Sequence, residues 1–139
     1  METDIYKRIK GYMKKVYPNT LIRFDTSGLN IFNENDRILI KNLNERGFPD
    51  LQILAKRANK IGMFLEIKEE NTILFNNYGK PINKHVEEQK TILEKLNENG
   101  YYACFAVGFS DAIFRINGYL KYNKIYPDIV FKTPSLFEI

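Results

Sequence analysis

The chain has 139 residues, of which 44% are hydrophobic and 14% aromatic, enough to build the core of one compact domain. Its formal charge of +4 permits a polyanionic partner without requiring one. A single cysteine, Cys104, excludes an internal disulfide and a site of several thiolates, and it suggests a reducing, cytoplasmic compartment. No run of about 18 apolar residues predicts a membrane span, and the charged N-terminus lacks the apolar segment of a signal peptide.

The first part of the chain predicts helix, strand and helix. Residues 2–17 form an amphipathic pattern that ends before Pro18. TLIRF predicts a short strand. A second helix is expected from about residue 33 to residue 46, with Gly47 as its stop.

A β-hairpin is expected next, with strands at 49–55 and 61–68 joined by KRANK. If the turn is centred on KRANK, antiparallel pairing places Asp50 opposite Glu66. Because strand side chains alternate between faces, Glu66 and Lys68 share a face. The hairpin therefore brings two carboxylates and a lysine together.

The rest of the chain predicts helix, strand and helix after a longer excursion at 69–83, where NNYG suggests a small hairpin. A helix is expected over 85–99, and YYACFAVGF predicts a central strand buried on both faces. Ser110 is expected to cap a last helix that ends near Tyr122, and the tail beyond shows no period. This order indicates an α/β domain with a mixed central sheet flanked by helices.

Two polar residues lie on apolar helical stripes. Gln89 is in line with Val86 and Leu93, where a buried amide needs hydrogen-bond partners. It could serve a site or make a structural bond to a neighbouring backbone. Glu2 lies three residues before Ile5, in a first turn that favours a carboxylate, and the alternative is an ordinary charge at a helix end.

The acid pair suggests a metal site. Asp50 and Glu66 at close range would repel unless one were protonated or a cation lay between them. Such oxygen ligands suit Mg²⁺ or Mn²⁺, which leave positions for water and phosphate oxygens. With Lys68 beside the acids, the trio suits phosphodiester hydrolysis. The alternative is a cross-strand salt bridge on an exposed hairpin.

Basic residues supply candidate contacts to the phosphates of a polyanionic partner, with solvated surface as the alternative. The candidates are Lys14, Lys15, Arg57 and Lys84. His85, the only histidine, is expected at the surface or at a helix start and not as a catalyst.

Four stretches together resemble the VRR-NUC family, the virus-type replication-repair nucleases of the PD-(D/E)XK superfamily: GFPDL, FLEIK, EEQKTILEKLNENGY and SDAIFRINGYL. The resemblance covers nearly the whole chain, and it implies one nuclease domain over 1–139 with a restriction-endonuclease-like core. The catalytic residues that it implies are Asp50, Glu66, Lys68 and Gln89. The metal ligands that it implies are Glu2, Asp50, Glu66 and the backbone carbonyl of Ile67.

The function implied by this resemblance is Mg²⁺- or Mn²⁺-dependent cleavage of DNA. Small phage-type members that stand alone resemble homodimers that cut branched DNA, four-way (Holliday) junctions in particular. A flap nuclease, a sequence-specific nuclease and a catalytically silent DNA-binding or assembly module remain alternatives. The chain departs from the family pattern in the longer segment between Lys68 and Gln89, which changes the expected path of the substrate.

Overall fold

The computed structural model describes residues 2–25 and 47–126. Its elements in chain order are α1 (Glu2–Val16), β1 (Leu21–Phe24), β2 (Leu51–Leu54), β3 (Met63–Lys68), α2 (Lys84–Glu98), β4 (Tyr102–Val107) and α3 (Phe109–Tyr122). The helix predicted over 33–46 and the tail from residue 127 lie outside the described residues. Within the described ranges, no helix combines the length and apolar composition needed to cross a bilayer.

The four strands form one mixed sheet in the order β1-β2-β3-β4. The first three are antiparallel neighbours, whereas β3 and β4 are parallel. A parallel pair needs a crossover connection, which α2 supplies here. The prediction of an α/β domain with a mixed sheet flanked by helices is confirmed.

Strand alternation divides the core into two layers. Leu65 and Ile67 of β3 belong to the layer that packs on α1 and α3. Phe64 belongs to the layer beneath α2. Glu66 and Lys68 have the same parity as Phe64, so they lie on the sheet face that α2 covers. Cys104 is buried in the first layer, as expected of a core residue.

The β2–β3 hairpin has the predicted register. Leu51 pairs with Leu65, so the next step outward sets Asp50 opposite Glu66. The turn within KRANK is tight because Ala58 and Asn59 have φ of +49° and +66°. Two left-handed central residues are typical of a type I′ turn, whose twist matches that of the flanking strands.

The predicted cap of the last helix is wrong. Gly108, with φ of +88°, occupies the position before α3, and Ser110 lies inside the helix. The positive φ favours glycine, and a Cβ at Gly108 would also require the exposed Glu70 side chain, whose Cγ would lie 2.7 Å away, to move. Asp111 serves the helix start instead, because its Oδ2 accepts a hydrogen bond from Val107 N at 2.8 Å.

Asp111 also holds a buried charge. Its Oδ1 lies 3.0 Å from Nε of Arg115, whose side chain is only 2% exposed. The carboxylate therefore joins the end of β4 to the second turn of α3.

Gly47 brings the segment before Asp50 against α2. Its φ is +79°, and a Cβ there would lie 3.1 Å from the carbonyl carbon and oxygen of Glu88. This close approach sets the path of Phe48 and Pro49 into β2 beside the turn of α2 that carries Gln89.

Replacing Asp111 with Ala should destabilise the fold by about 2–4 kcal/mol, because a buried guanidinium loses its carboxylate and Val107 N loses its acceptor. Urea unfolding measures the change. The matched control is Glu94→Ala, which breaks the exposed i, i+4 pair with Lys90 and should change stability by about 0.5 kcal/mol or less. Equal effects of the two substitutions would contradict the role given to Asp111.

Replacing Gly47 with Ala should cost more stability than Gly79→Ala. Both glycines have φ near +78°, at +79° and +77°, but a Cβ at Gly79 meets nothing within 4 Å. Both substitutions therefore lose about 1–2 kcal/mol of unfolding free energy because they place a side chain at positive φ. Any larger loss for Gly47→Ala measures the contact of Gly47 with α2. Equal unfolding free energies of the two variants would show that this contact is not tight.

Candidate active site

Asp50 lies where the β2–β3 ladder ends. Its carboxylate Oδ2 accepts the N–H of Ile67 at 2.8 Å, so a side chain extends the hydrogen bonding one step beyond the paired strands. Its carbonyl accepts the N–H of Asp25 at 2.7 Å. The half-buried Asp50 is therefore tied to both neighbouring strands.

Glu66 and Lys68 lie together on the face beneath α2. The Glu66 side chain is buried, with the residue 3% exposed, and its Oε2 is 3.9 Å from Nζ of Lys68. This distance is too long for a hydrogen bond but short enough for direct charge attraction. The burial of Glu66 does not fit a salt bridge on a solvent-exposed hairpin.

The backbone carbonyl of Ile67 points toward Asp50. In a strand, the N–H and C=O of one residue face the same neighbouring strand, and the next residue faces the opposite one. Ile67 N–H is directed at Asp50, while the carbonyl of Lys68 accepts the N–H of Gly108 beyond β4. The carbonyl oxygen of Ile67 therefore faces the same side of β3 as its N–H group, which is the side on which Asp50 lies.

Gln89 is buried in α2, with 4% exposure. It is in line with Val86 and Leu93, which belong to the same core layer as Phe64. Its Nε2 lies 3.1 Å from Nε2 of His85, and its Oε1 is buried without a hydrogen-bond partner among residues 2–25 and 47–126. An amide nitrogen can only donate, so in this arrangement His85 Nε2 is the acceptor.

His85 is exposed at the start of α2, as predicted, but its contact with Gln89 was not expected. The i, i+4 spacing of the two residues is the sequence signal that could have indicated it. Asp25 is a second unexpected neighbour, because β1 places it beside Asp50. The only indication of Asp25 in the sequence is that an acidic residue follows a short predicted strand.

The first half of α1 lies at the same end of the sheet. Tyr6 packs against Phe24 with ring centroids 5.3 Å apart, and Phe24 pairs with Leu51 next to Asp50. Glu2 is the first residue of α1, but its side chain lies outside the described residues.

The predicted DNA contacts lie at both ends of the sheet. Lys84 is exposed at the start of α2, which returns from the end of β3 where Lys68 lies. Lys14 and Lys15 are exposed in the last turn of α1, about 18 Å along the axis from its first residue. Arg57 lies in the hairpin turn at the far end, where its Nε donates to the Leu120 carbonyl at 3.1 Å.

The residues brought together are two carboxylates, one backbone carbonyl and one ammonium. Among the described residues, no cluster of three or more His, Cys, Asp or Glu side chains could hold a metal. Two carboxylates are nevertheless compatible with Mg²⁺ or Mn²⁺, since Mg²⁺ usually takes one or two and fills its other positions with water and phosphate oxygens. The donor set of Asp50, Glu66 and the Ile67 carbonyl fits such an ion.

Comparisons with known proteins agree with this architecture. No protein-family model and no curated protein matches the chain. A solved structure described as a VRR_NUC domain protein superposes with a TM-score of 0.60 at 21% identity, covering 88% of this chain and 90% of that one. At this level of identity the similarity establishes a common fold, and it extends over nearly the full length of both chains.

Proposed function

We propose that the chain is a Mg²⁺- or Mn²⁺-dependent DNA endonuclease that hydrolyses phosphodiester bonds in branched DNA such as four-way junctions. The observation that carries the proposal is the placement of Asp50, the buried Glu66 and Lys68 at one end of the sheet, on the side where α2 carries the buried Gln89. The shared fold with a VRR_NUC domain protein supports it.

Asp50, Glu66 and the Ile67 carbonyl would hold the ion, with Glu2 as a further candidate ligand. When bound, such an ion neutralises phosphate charge and makes water a better nucleophile. The hydrogen bond from Ile67 N fixes the orientation of the Asp50 carboxylate. Both of its oxygens can still accept a further ligand, since an ionised carboxylate has about four acceptor sites.

Lys68 and Gln89 would act on the reacting groups. The Lys68 ammonium keeps its proton donors, because its contact with Glu66 at 3.9 Å is not a hydrogen bond. It would orient the attacking water or stabilise the charge that develops on the phosphate. The Gln89 amide would orient Lys68 or a water molecule, with His85 holding the amide from the other side.

Substrate selection would come from phosphate contacts and from subunit symmetry. Phosphate contacts by Lys14, Lys15, Arg57 and Lys84 would bind DNA largely independently of sequence and more weakly as salt rises. Paired nicks in a junction need two sites related by a two-fold axis, which a homodimer would supply.

Asp50→Asn should abolish metal-dependent cleavage, with a loss of about 100-fold or more for a group that acts directly on the charge of the reaction. The fold should survive, because the Asn carbonyl can still accept the N–H of Ile67. Cleavage of a labelled four-way junction with Mg²⁺, Mn²⁺ or chelator measures the effect. Glu94→Gln, the same change at an exposed acid of α2, is the control.

Two results would overturn the assignment. Cleavage by Asp50→Asn at the wild-type rate would remove Asp50 from the site. Binding of junctions by the wild-type protein without product under either metal would favour the silent module.

Gln89→Leu should lower kcat by roughly 10-fold, the usual scale for a residue that orients a direct ligand. It should leave the melting temperature unchanged or raised, because it removes a buried amide oxygen without a partner among the described residues. His85→Ala should lower kcat by less, because it removes only the group that holds the Gln89 amide. An unchanged kcat for Gln89→Leu would make the glutamine a structural residue.

A panel of a four-way junction, a flap, a fork and a linear duplex tests the substrate class. The junction should be cut at least about 10-fold faster than the duplex, and binding should weaken steeply as salt rises. Discrete bands from linear duplex would indicate a sequence-specific nuclease instead.

A further inference from the structure

The segment between β3 and α2 forms a small hairpin beside the proposed site. It follows Lys68 directly and leads into α2 at Lys84. Because α2 runs back across the sheet, both ends of the segment lie at the end of the sheet that carries Asp50. Phe75 and Pro81 form an antiparallel bridge, so the small hairpin expected around NNYG is confirmed.

The base of this hairpin is anchored next to Glu66. Leu74 is buried in the layer beneath α2. Phe75 packs edge-on against Phe105, with ring centroids 6.1 Å apart. Phe105 is the residue of β4 that pairs with Glu66, so the hairpin rests on the site itself.

The tip has a shape fixed by its own hydrogen bonds. The Asn76 side-chain oxygen accepts the N–H groups of Tyr78 at 2.9 Å and of Lys80 at 3.1 Å. Gly79, with φ of +77°, donates to the Asn76 carbonyl at 3.0 Å. Such an Asx turn needs no ligand to form, so little conformational entropy would be lost on binding there.

The tip presents an aromatic ring to solvent. Tyr78 is 87% exposed and lies in the turn, three residues beyond the bridge at Phe75. Residues 71–84 include two exposed lysines, Lys80 and Lys84, and no acid. An exposed ring on a hairpin that carries lysines suits a DNA base together with its phosphates.

We propose that Tyr78 stacks on a DNA base whose face is open at a branch point and that the hairpin thereby selects branched over linear DNA. In a continuous duplex both faces of a base are covered by its neighbours, so the ring gains nothing there. At a junction or fork a base face is open, and stacking on an aromatic side chain is tolerant of sequence. The inference rests on the proposed function, whose substrate class it explains.

Binding in the presence of chelator tests the inference without cleavage. Fluorescence anisotropy compares a labelled junction carrying an unpaired base with a linear duplex of the same sequence. Tyr78→Ala should weaken junction binding about 10-fold or more, the loss of one base–aromatic stack, and leave duplex binding unchanged. Tyr78→Phe should bind like the wild type. Tyr122→Ala removes another exposed tyrosine, 56% exposed at the far end of α3, and should change neither affinity.

A base analogue reports the contact directly. 2-Aminopurine at the unpaired position should be quenched by the wild type and Tyr78→Phe but not by Tyr78→Ala. Equal affinities of wild type and Tyr78→Ala for the junction, or an equal loss for junction and duplex, would overturn the inference. The proposed function fails independently, through absence of metal-dependent cleavage, while these binding differences can persist.

Discussion

The hydrogen bond from Ile67 N–H to the Asp50 carboxylate is the constraint on which the candidate site depends. It closes the β2–β3 hairpin at the end where the strands separate, and it holds one acid in a fixed orientation. The same register sets Glu66 opposite Asp50 and places Lys68 on the same face. A shift of the strand register by one residue would turn Glu66 and Lys68 toward α1 and α3, and the site would not form.

The burial of Glu66 places a charged side chain where hydration is lost. A carboxylate at 3% exposure loses hydration, and the attraction of the Lys68 ammonium at 3.9 Å helps to offset that loss. The layer beneath α2 otherwise contains apolar side chains such as Phe64, which lies two residues earlier on the same face. Replacing a buried ion pair with apolar side chains is often neutral or stabilising, so the charged pair is consistent with the chemical role proposed for it.

The hairpin could be predicted because its rules are local. The period of two assigns the faces, and the length of KRANK fixes the register that pairs Asp50 with Glu66. Other features depend on backbone angles or tertiary contacts that residue types do not encode. Ser110 is a better cap by composition, yet the chain turns at Gly108, where the positive φ favours glycine. The bond from Arg57 to the end of α3 likewise appears only once the elements are packed.

The topology separates the parts that would do chemistry from the parts that would choose a substrate. Strand pairing fixes Glu66 and Lys68, and the hydrogen bond from Ile67 N fixes the Asp50 carboxylate. The segment from β3 to α2 leaves the sheet at the carboxyl end of a parallel strand, the usual location of ligand sites in α/β folds. A segment inserted at this position lies beside Asp50 and Glu66 and does not alter the register of the strands. In the proposed function, chain length between Lys68 and α2 would therefore change which DNA is recognised while the proposed reacting groups stay in place.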